Sequence, residues 1–111
     1  MPDSTEIVVV YVTTPQKDAP EIARSLVERK LAACVNIVQT VRSVYRWQGA
    51  VQDEPESLLI IKTARSRFDD LKAGVLEVHP YTVPEVIALP VVAGHGPYLG
   101  WVSEMSDEGA G

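Results

Sequence analysis

The chain has 111 residues, 46% of them apolar and 23% charged, which is enough for one compact core and too hydrophobic for a disordered chain. Ten basic residues against fifteen acidic ones leave a net charge of −5 without any basic run, which argues against nucleic acid or an anionic membrane surface as partner. Cys34 is the only cysteine, so intramolecular disulfides are excluded and a reducing cytoplasm is the expected compartment.

Hydrophobic periodicity predicts four strands and three helices in one domain at 7–105, with flexible ends at 1–6 and 106–111. β-branched or alternating runs mark the strands, and apolar residues spaced by three or four mark the helices. In chain order the predicted elements are a strand at 7–12, a helix between 18 and 31, a strand at 34–47, a return strand ending at 63, a helix between 66 and 79, a strand at 86–92 and a helix at 98–105.

Short polar and proline signals set the ends of these elements. Asp18 and Ser66 are the predicted caps of the first two helices, and Pro80 ends the second helix. Gln48-Gly49 is the predicted reversal of a long hairpin, while Pro55 predicts that the hairpin tip is an edge or bulged.

Alternation along the long strand places its odd-numbered apolar residues on one face, namely Val35, Ile37, Val41, Tyr45 and Trp47. Helical spacing gives the second helix a shared face of Phe68, Leu71, Val75 and Val78.

The order βαββαβ with an added C-terminal helix predicts an α+β, ferredoxin-like antiparallel sheet with both main helices on one face. The first strand is apolar at both parities, which predicts burial on both faces, and the run 58–61 shows the same pattern. A soluble monomer rarely leaves such a face exposed, so we expect a homo-oligomer.

Several activities known for this topology need residues that the chain does not have. One cysteine is too few for an iron–sulfur cluster or a Cys-x-x-Cys copper site. The first strand offers only Tyr11 for base stacking, and the loop 13–17 has neither the glycine nor the arginine of an acyl-phosphate cradle. No nucleophile elbow or phosphate loop occurs, so we expect that the protein is not an enzyme.

The most informative stretch is 79–85, where His79, Tyr81 and Glu85 stand between two prolines. Imidazole, phenol and carboxylate could converge there on a small binding site, with His79 as a metal ligand. The alternative is that the prolines only set a turn, while His79 ends a helix favourably and Tyr81 packs.

Other candidate residues carry two interpretations each. Cys34 is either a small core residue or a reactive thiol or metal ligand, in the last case together with His79. Lys62 extends to the rim of the sheet or pairs with a carboxylate such as Glu85 across a subunit boundary. His95 is a second imidazole donor or an exposed loop residue. The large amphipathic aromatics are predicted for an interface rather than for ligand stacking: Tyr45, Trp47, Tyr98 and Trp101.

Six segments in register resemble the CutA divalent-cation tolerance family, and together they cover about residues 7 to 102. They are Val12-Thr13-Thr14-Pro15, Leu31-Ala32-Ala33-Cys34-Val35-Asn36, Tyr45-Arg46-Trp47-Gln48-Gly49, Leu59-Ile60-Ile61-Lys62-Thr63, His79-Pro80-Tyr81-Thr82-Val83-Pro84-Glu85 and Tyr98-Leu99-Gly100-Trp101. The resemblance implies a homotrimer similar to the PII signalling proteins, a role in tolerance of divalent metals, and copper binding as in some bacterial members.

Of the copper ligands that the resemblance implies, this chain has only one. Members with proposed ligands have a cysteine before Thr-x-Pro and a His-His pair before Pro-Tyr, where this chain has Val12, Val78 and His79. A site for Cu(II) or another divalent ion therefore rests on His79, with Glu85 or Cys34 or with further copies from a trimer.

Two functional hypotheses follow. The first is a metal-binding tolerance protein that uses His79. The second is a PII-like signalling or small-molecule-binding trimer whose intersubunit clefts near Lys62, Tyr45 and Trp47, together with Tyr81 and Trp101 at the interface, receive an anion or a partner.

Overall fold

The computed structural model describes residues 6–107, and the structural statements below concern that part of the chain. Of the ends predicted to be flexible, 1–6 and 106–111, residues 1–5 and 108–111 lie outside the described residues. Ser106, assigned from sequence to the flexible tail, is instead fully buried, because its hydroxyl accepts from the Ala64 N–H and donates to the Val102 carbonyl. The described elements are β1 Ile7–Thr14, α1 Ala19–Glu28, β2 Cys34–Trp47, β3 Ala50–Ala64, α2 Phe68–Val78, β4 Val86–Pro90 and α3 Gly96–Met105.

The four strands form one sheet in the order β2-β3-β1-β4, and each neighbouring pair is antiparallel. This order and the two intervening helices confirm the predicted ferredoxin-like α+β fold. Helices α1 and α2 cover one face of the sheet. The core between the helices and the sheet is made of Val8, Val10, Val12, Ile22, Leu26, Leu59, Ile61, Leu71 and Val75.

The other face of the sheet is only partly covered. Helix α3 packs on one end of it, where Leu99 and Val102 contact Ile7 and Ala33. Across the rest, side chains are half-buried or exposed, with Ile87 at 50% exposure. The prediction that β1 is buried on both faces is therefore wrong within a single chain. The registers place on this surface, called the open face below, Val9, Tyr11, Thr13, Val38, Leu58, Ile60, Ile87 and Leu89.

Strands β2 and β3 extend beyond the sheet as a two-stranded ribbon. The turn is Gln48-Gly49, as predicted, with φ of 51° and 80°, which fits a two-residue hairpin turn of type I′. Strand β1 pairs with β3 only as far as Ser57, so the outer part of β3 has β2 as its single neighbour. Pro55 lies in that outer part, which confirms its interpretation as an edge residue.

A β-bulge interrupts the ladder where the ribbon leaves the sheet. Val38 pairs with Leu58 but Val41 pairs with Glu56, so two residues of β2 stand opposite one residue of β3. The Ser57 hydroxyl donates to the Gln39 carbonyl at 2.6 Å and holds the bulge. The extra residue reverses the parity of β2, so the single face predicted from alternation is wrong. Val35 and Ile37 face the helices, whereas Val41, Tyr45 and Trp47 continue the side of the open face.

Some predicted element ends also differ. Asp18 occupies the N-cap position of α1, but its side chain makes no capping hydrogen bond. A 3₁₀ turn at Arg65–Arg67 precedes α2, so Ser66 lies within that turn and does not cap the helix. Val78 is 50% exposed and does not join the buried face of α2, and β4 ends at Pro90 rather than at Val92.

Candidate functional site

His79 lies at the end of α2 and is 8% exposed, with both ring nitrogens engaged. The Tyr81 N–H donates to Nδ1 at 3.1 Å, so Nδ1 carries the lone pair and the proton sits on Nε2. Nε2 in turn donates to the Thr13 carbonyl oxygen at 2.7 Å. The ring therefore joins the end of β1 to the segment 80–85, and the Tyr81 ring lies against it at 4.8 Å between centroids.

A cleft of about 590 Å³ opens between the segment 80–85 and the β2–β3 ribbon. Its walls come from β1, from both strands of the ribbon and from the segment 80–85, which the bulge and the His79 bonds bring together. The residues that matter chemically are Thr13, Tyr45, Trp47, Glu56, Tyr81 and Glu85.

Two tyrosine–carboxylate pairs stiffen the cleft. The Tyr81 hydroxyl donates to Glu56 at 2.8 Å, and that carboxylate is only 5% exposed. Burial, and then the bond and charge of Glu56, raise the pKa of Tyr81. The Tyr45 hydroxyl donates to Glu54, which is the main reason that the pKa of Tyr45 is raised to about 12. Both phenols therefore stay neutral at ordinary pH.

The charge of the cleft is negative. Glu56 and Glu85 line it, and no basic side chain does so among the described residues. Arg42 binds Asp53 through two hydrogen bonds, and the register places Arg42 and Arg46 on the opposite face of the ribbon. The arrangement attracts cations and repels anions.

Cys34 and Lys62 lie at the far end of the open face, where they are direct cross-strand partners. The Lys62 ammonium donates to the Asn36 side-chain oxygen, and the Cys34 thiol approaches the same oxygen at 3.7 Å. Lys62 stands six residues along β3 from Glu56, which is roughly 20 Å at the usual rise of a strand. Lys62 is thus remote from the cleft.

The remaining sequence candidates lie on other surfaces. Trp101 is on α3, 42% exposed, with its ring 5.7 Å from that of Tyr98. His95 is exposed at the N-cap position of α3. Of the five predicted cleft or interface residues, the structure therefore groups Tyr45, Trp47 and Tyr81 and separates Lys62 and Trp101.

Glu54 and Glu56 were not singled out from the sequence as site residues. The signal available was an acidic run, 53–56, on a predicted hairpin, and such a run usually marks a solvated edge. The register shows that Glu56 lies where the sheet ends and the ribbon begins, and the hydrogen bond from Tyr81 shows that the segment 80–85 reaches it.

The described residues hold no cluster of three or more His, Cys, Asp or Glu side chains placed to bind a metal ion. Cys34 is in register with Lys62 and, two strands away, with Val9. Val9 is four residues, roughly 13 Å, along β1 from Thr13, so within one chain Cys34 is farther than that from the carbonyl that His79 contacts. Between residues 6 and 107, no helix is long and apolar enough to cross a membrane.

Solved structures with the same fold show which class of protein this architecture belongs to. A structure from Nostoc described as a PII-like CutA protein superposes with a TM-score of 0.86 at 32% identity, over 90% of this chain and 97% of that one. The chain is thus a small α+β protein with a PII-like fold.

Sequence comparison gives the family. The model of the CutA1 divalent ion tolerance protein family matches residues 8–105, and the chain belongs to that family, as the six segments predicted. A divalent-cation tolerance protein from Thermus thermophilus is 50% identical over 97 residues, which are 86% of this chain and 94% of that protein. A chloroplastic relative from Arabidopsis thaliana is 52% identical, over 86% of this chain and 53% of the relative.

Proposed function

We propose that this protein is a homotrimeric divalent-cation tolerance protein that binds Cu(II) or another divalent ion. The observation that carries the proposal is the acidic cleft beside His79, in which Glu56 and Glu85 face the space without a basic side chain among the described residues. The negative charge disfavours the alternative, a PII-like module that receives an anion. Lys62, the cation predicted for that alternative, also lies roughly 20 Å away along β3.

The trimer is proposed from the open face. Ile87 and Leu89 on β4 and Val38 on β2 are between 38% and 50% exposed on one contiguous side of the sheet. Surfaces of this kind are normally covered by another subunit. Three copies are the arrangement that the family resemblance implies.

The proposed metal ligands begin with His79. A metal ion would take the Nδ1 lone pair from the Tyr81 N–H or replace the Nε2 proton that is donated to Thr13. Glu85 is the carboxylate of the same segment and the first candidate partner. Cys34 lies too far along the sheet to share an ion with His79 in one chain, so it would have to come from another subunit.

Titration calorimetry of the metal-free protein with Cu(II) tests the ligand assignment. We expect His79→Ala and Glu85→Gln each to weaken binding, whereas Glu104→Gln, which removes an exposed carboxylate from α3, should leave it unchanged. Unchanged affinity in both site variants contradicts the assignment. Light scattering on a sizing column should give a mass of three chains, and a monomer at micromolar concentration contradicts the proposed trimer.

We also propose a binding role without catalysis, carried out in the cytoplasm. The support is the single, partly buried cysteine and the separation of Cys34 from His79. Subcellular fractionation checks the compartment, and the name of the Arabidopsis relative shows that family members also occur in chloroplasts.

A further inference from the structure

Three aromatic rings wall the acidic cleft and are exposed in the single chain. Tyr45, Trp47 and Tyr81 are 37%, 46% and 38% exposed, and all three line the same space. Tyr45 and Trp47 project from one side of the ribbon because the bulge shifts their parity, and Tyr81 faces them from the segment after α2.

The two tyrosine rings are held by hydrogen bonds, and their phenols are neutral. Glu54 accepts a hydrogen bond from the Tyr45 hydroxyl, and the buried Glu56 accepts one from the Tyr81 hydroxyl. The Tyr81 backbone is also tied to His79, which is itself held by Thr13. A ligand would therefore meet two ring faces, those of Tyr45 and Tyr81, that are ordered before it binds, which lowers the entropy cost of binding.

Carboxylates stand beside these rings. Glu56 lies on the ribbon wall and Glu85 on the opposite wall. A subunit contact alone would account for the rings, but interface cores are depleted in Glu. Aromatic faces together with carboxylates are the environment in which proteins hold organic ammonium ions, because the ring quadrupole and the full charges attract the same cation.

The size of the cleft also favours an organic ligand. A volume of about 590 Å³ exceeds what one metal ion needs and lies within the range of small-molecule pockets. We propose that this cleft binds a small organic ammonium ion, with Tyr45, Trp47 and Tyr81 as its walls and Glu56 and Glu85 as its counter-charges. The proposal goes beyond tolerance of divalent ions and does not depend on metal binding at His79.

Tetramethylammonium chloride is the probe, titrated into the assembled protein at constant ionic strength and followed by NMR of the Trp indole N–H signals. We expect saturable binding that shifts the Trp47 signal and leaves the Trp101 signal in place. tert-Butanol, a neutral molecule of similar size, should bind at least about fivefold more weakly, because it lacks the charge. No saturable binding, or equal binding of tert-butanol, overturns the proposal.

Matched variants separate the cleft from the rest of the surface. Trp47→Leu should weaken tetramethylammonium binding by about fivefold or more, and Trp101→Leu, a change at a ring of similar exposure on α3, should not. Glu85→Gln, at an exposed position, should weaken binding with the fold intact. Equal loss in Trp47→Leu and Trp101→Leu, or no loss in Glu85→Gln, overturns the proposal, provided that light scattering shows the parent assembly.

The result is distinguishable from the test of the proposed function. Cu(II) binding without tetramethylammonium binding refutes only the organic-cation site. Tetramethylammonium binding without Cu(II) binding refutes the metal assignment and leaves this site standing.

Discussion

The two faces of the sheet are built from similar residues, but the helices bury one face and leave most of the other exposed or half-buried. On β1, Val8, Val10 and Val12 are at most 6% exposed under the helices, while Val9 and Tyr11, which alternate with them, are only half-buried. The apolar pattern is the same at both parities, so hydrophobicity alone does not tell which face the chain covers itself. The helix face supplies the stability of the single chain, and the open face is the surface that the proposed assembly would cover.

The largest effect is expected from truncation on the helix face. Leu59 is fully buried on β3, so Leu59→Ala should lower the free energy of unfolding by about 2–5 kcal/mol through lost burial and a cavity. Denaturant titration measures the change. Val51→Ala, at a position 64% exposed on the ribbon, is the control and should stay within about 0.5 kcal/mol. Equal losses in the free energy of unfolding would contradict the claim that only the covered apolar residues stabilise the single chain.

The next effect concerns assembly rather than folding. Ile87 on the open face and Leu76 on α2 are both 50% exposed, so they form a matched pair. Ile87→Glu should dissociate the oligomer, because assembly would bury an unpaired carboxylate, while Leu76→Glu should leave its mass unchanged. Light scattering gives the mass, and circular dichroism shows whether the chains remain folded. An intact assembly in Ile87→Glu would show that the open face is not the interface.

The sequence was sufficient for the fold because each element has a local signal. Alternating apolar residues, the Gln48-Gly49 turn and the proline after α2 all act between near neighbours in the chain. The uncovered face was predictable too, since Val9 and Tyr11 interrupt what would otherwise be a polar side of β1. These features depend on residue type and spacing alone.

The cleft was only partly predictable, because it depends on register. One extra residue in the bulge moves Tyr45 and Trp47 to the other side of β2, and alternation carries no sign of it. Glu56 lies just beyond the point where β1 ends opposite Ser57, and the Tyr81 hydroxyl bonds to it there. Lys62 was grouped with the cleft aromatics from sequence, although the register separates them.

Within the cleft, the two tyrosine–carboxylate pairs contrast a buried acceptor with an exposed one. Tyr81→Phe leaves Glu56, which is 5% exposed, without the hydroxyl that it accepts, so we expect a loss of about 1–3 kcal/mol in the free energy of unfolding. Tyr45→Phe removes the bond to the exposed Glu54 and should change stability less than Tyr81→Phe does. Thermal melts at neutral pH compare the variants. A larger loss of stability in Tyr45→Phe would show that the bond to the exposed Glu54, and not the bond to the buried Glu56, contributes more to stability.

The smallest effect is expected on the outer face of the ribbon, where Arg42 and Asp53 form an exposed pair. The bonds from Arg42 hold the pKa of Asp53 below its usual value, so its contribution to stability is present above the unfolded pKa and is lost as pH falls through the lowered folded pKa. Asp53→Asn should therefore melt only slightly below the parent at neutral pH and match it in acid. About 1 M salt should also remove the difference, because exposed pairs are screened. A difference that persists in acid or in salt would mean that Asp53 acts through packing, and the ribbon's outer face would then resemble the buried side of the sheet.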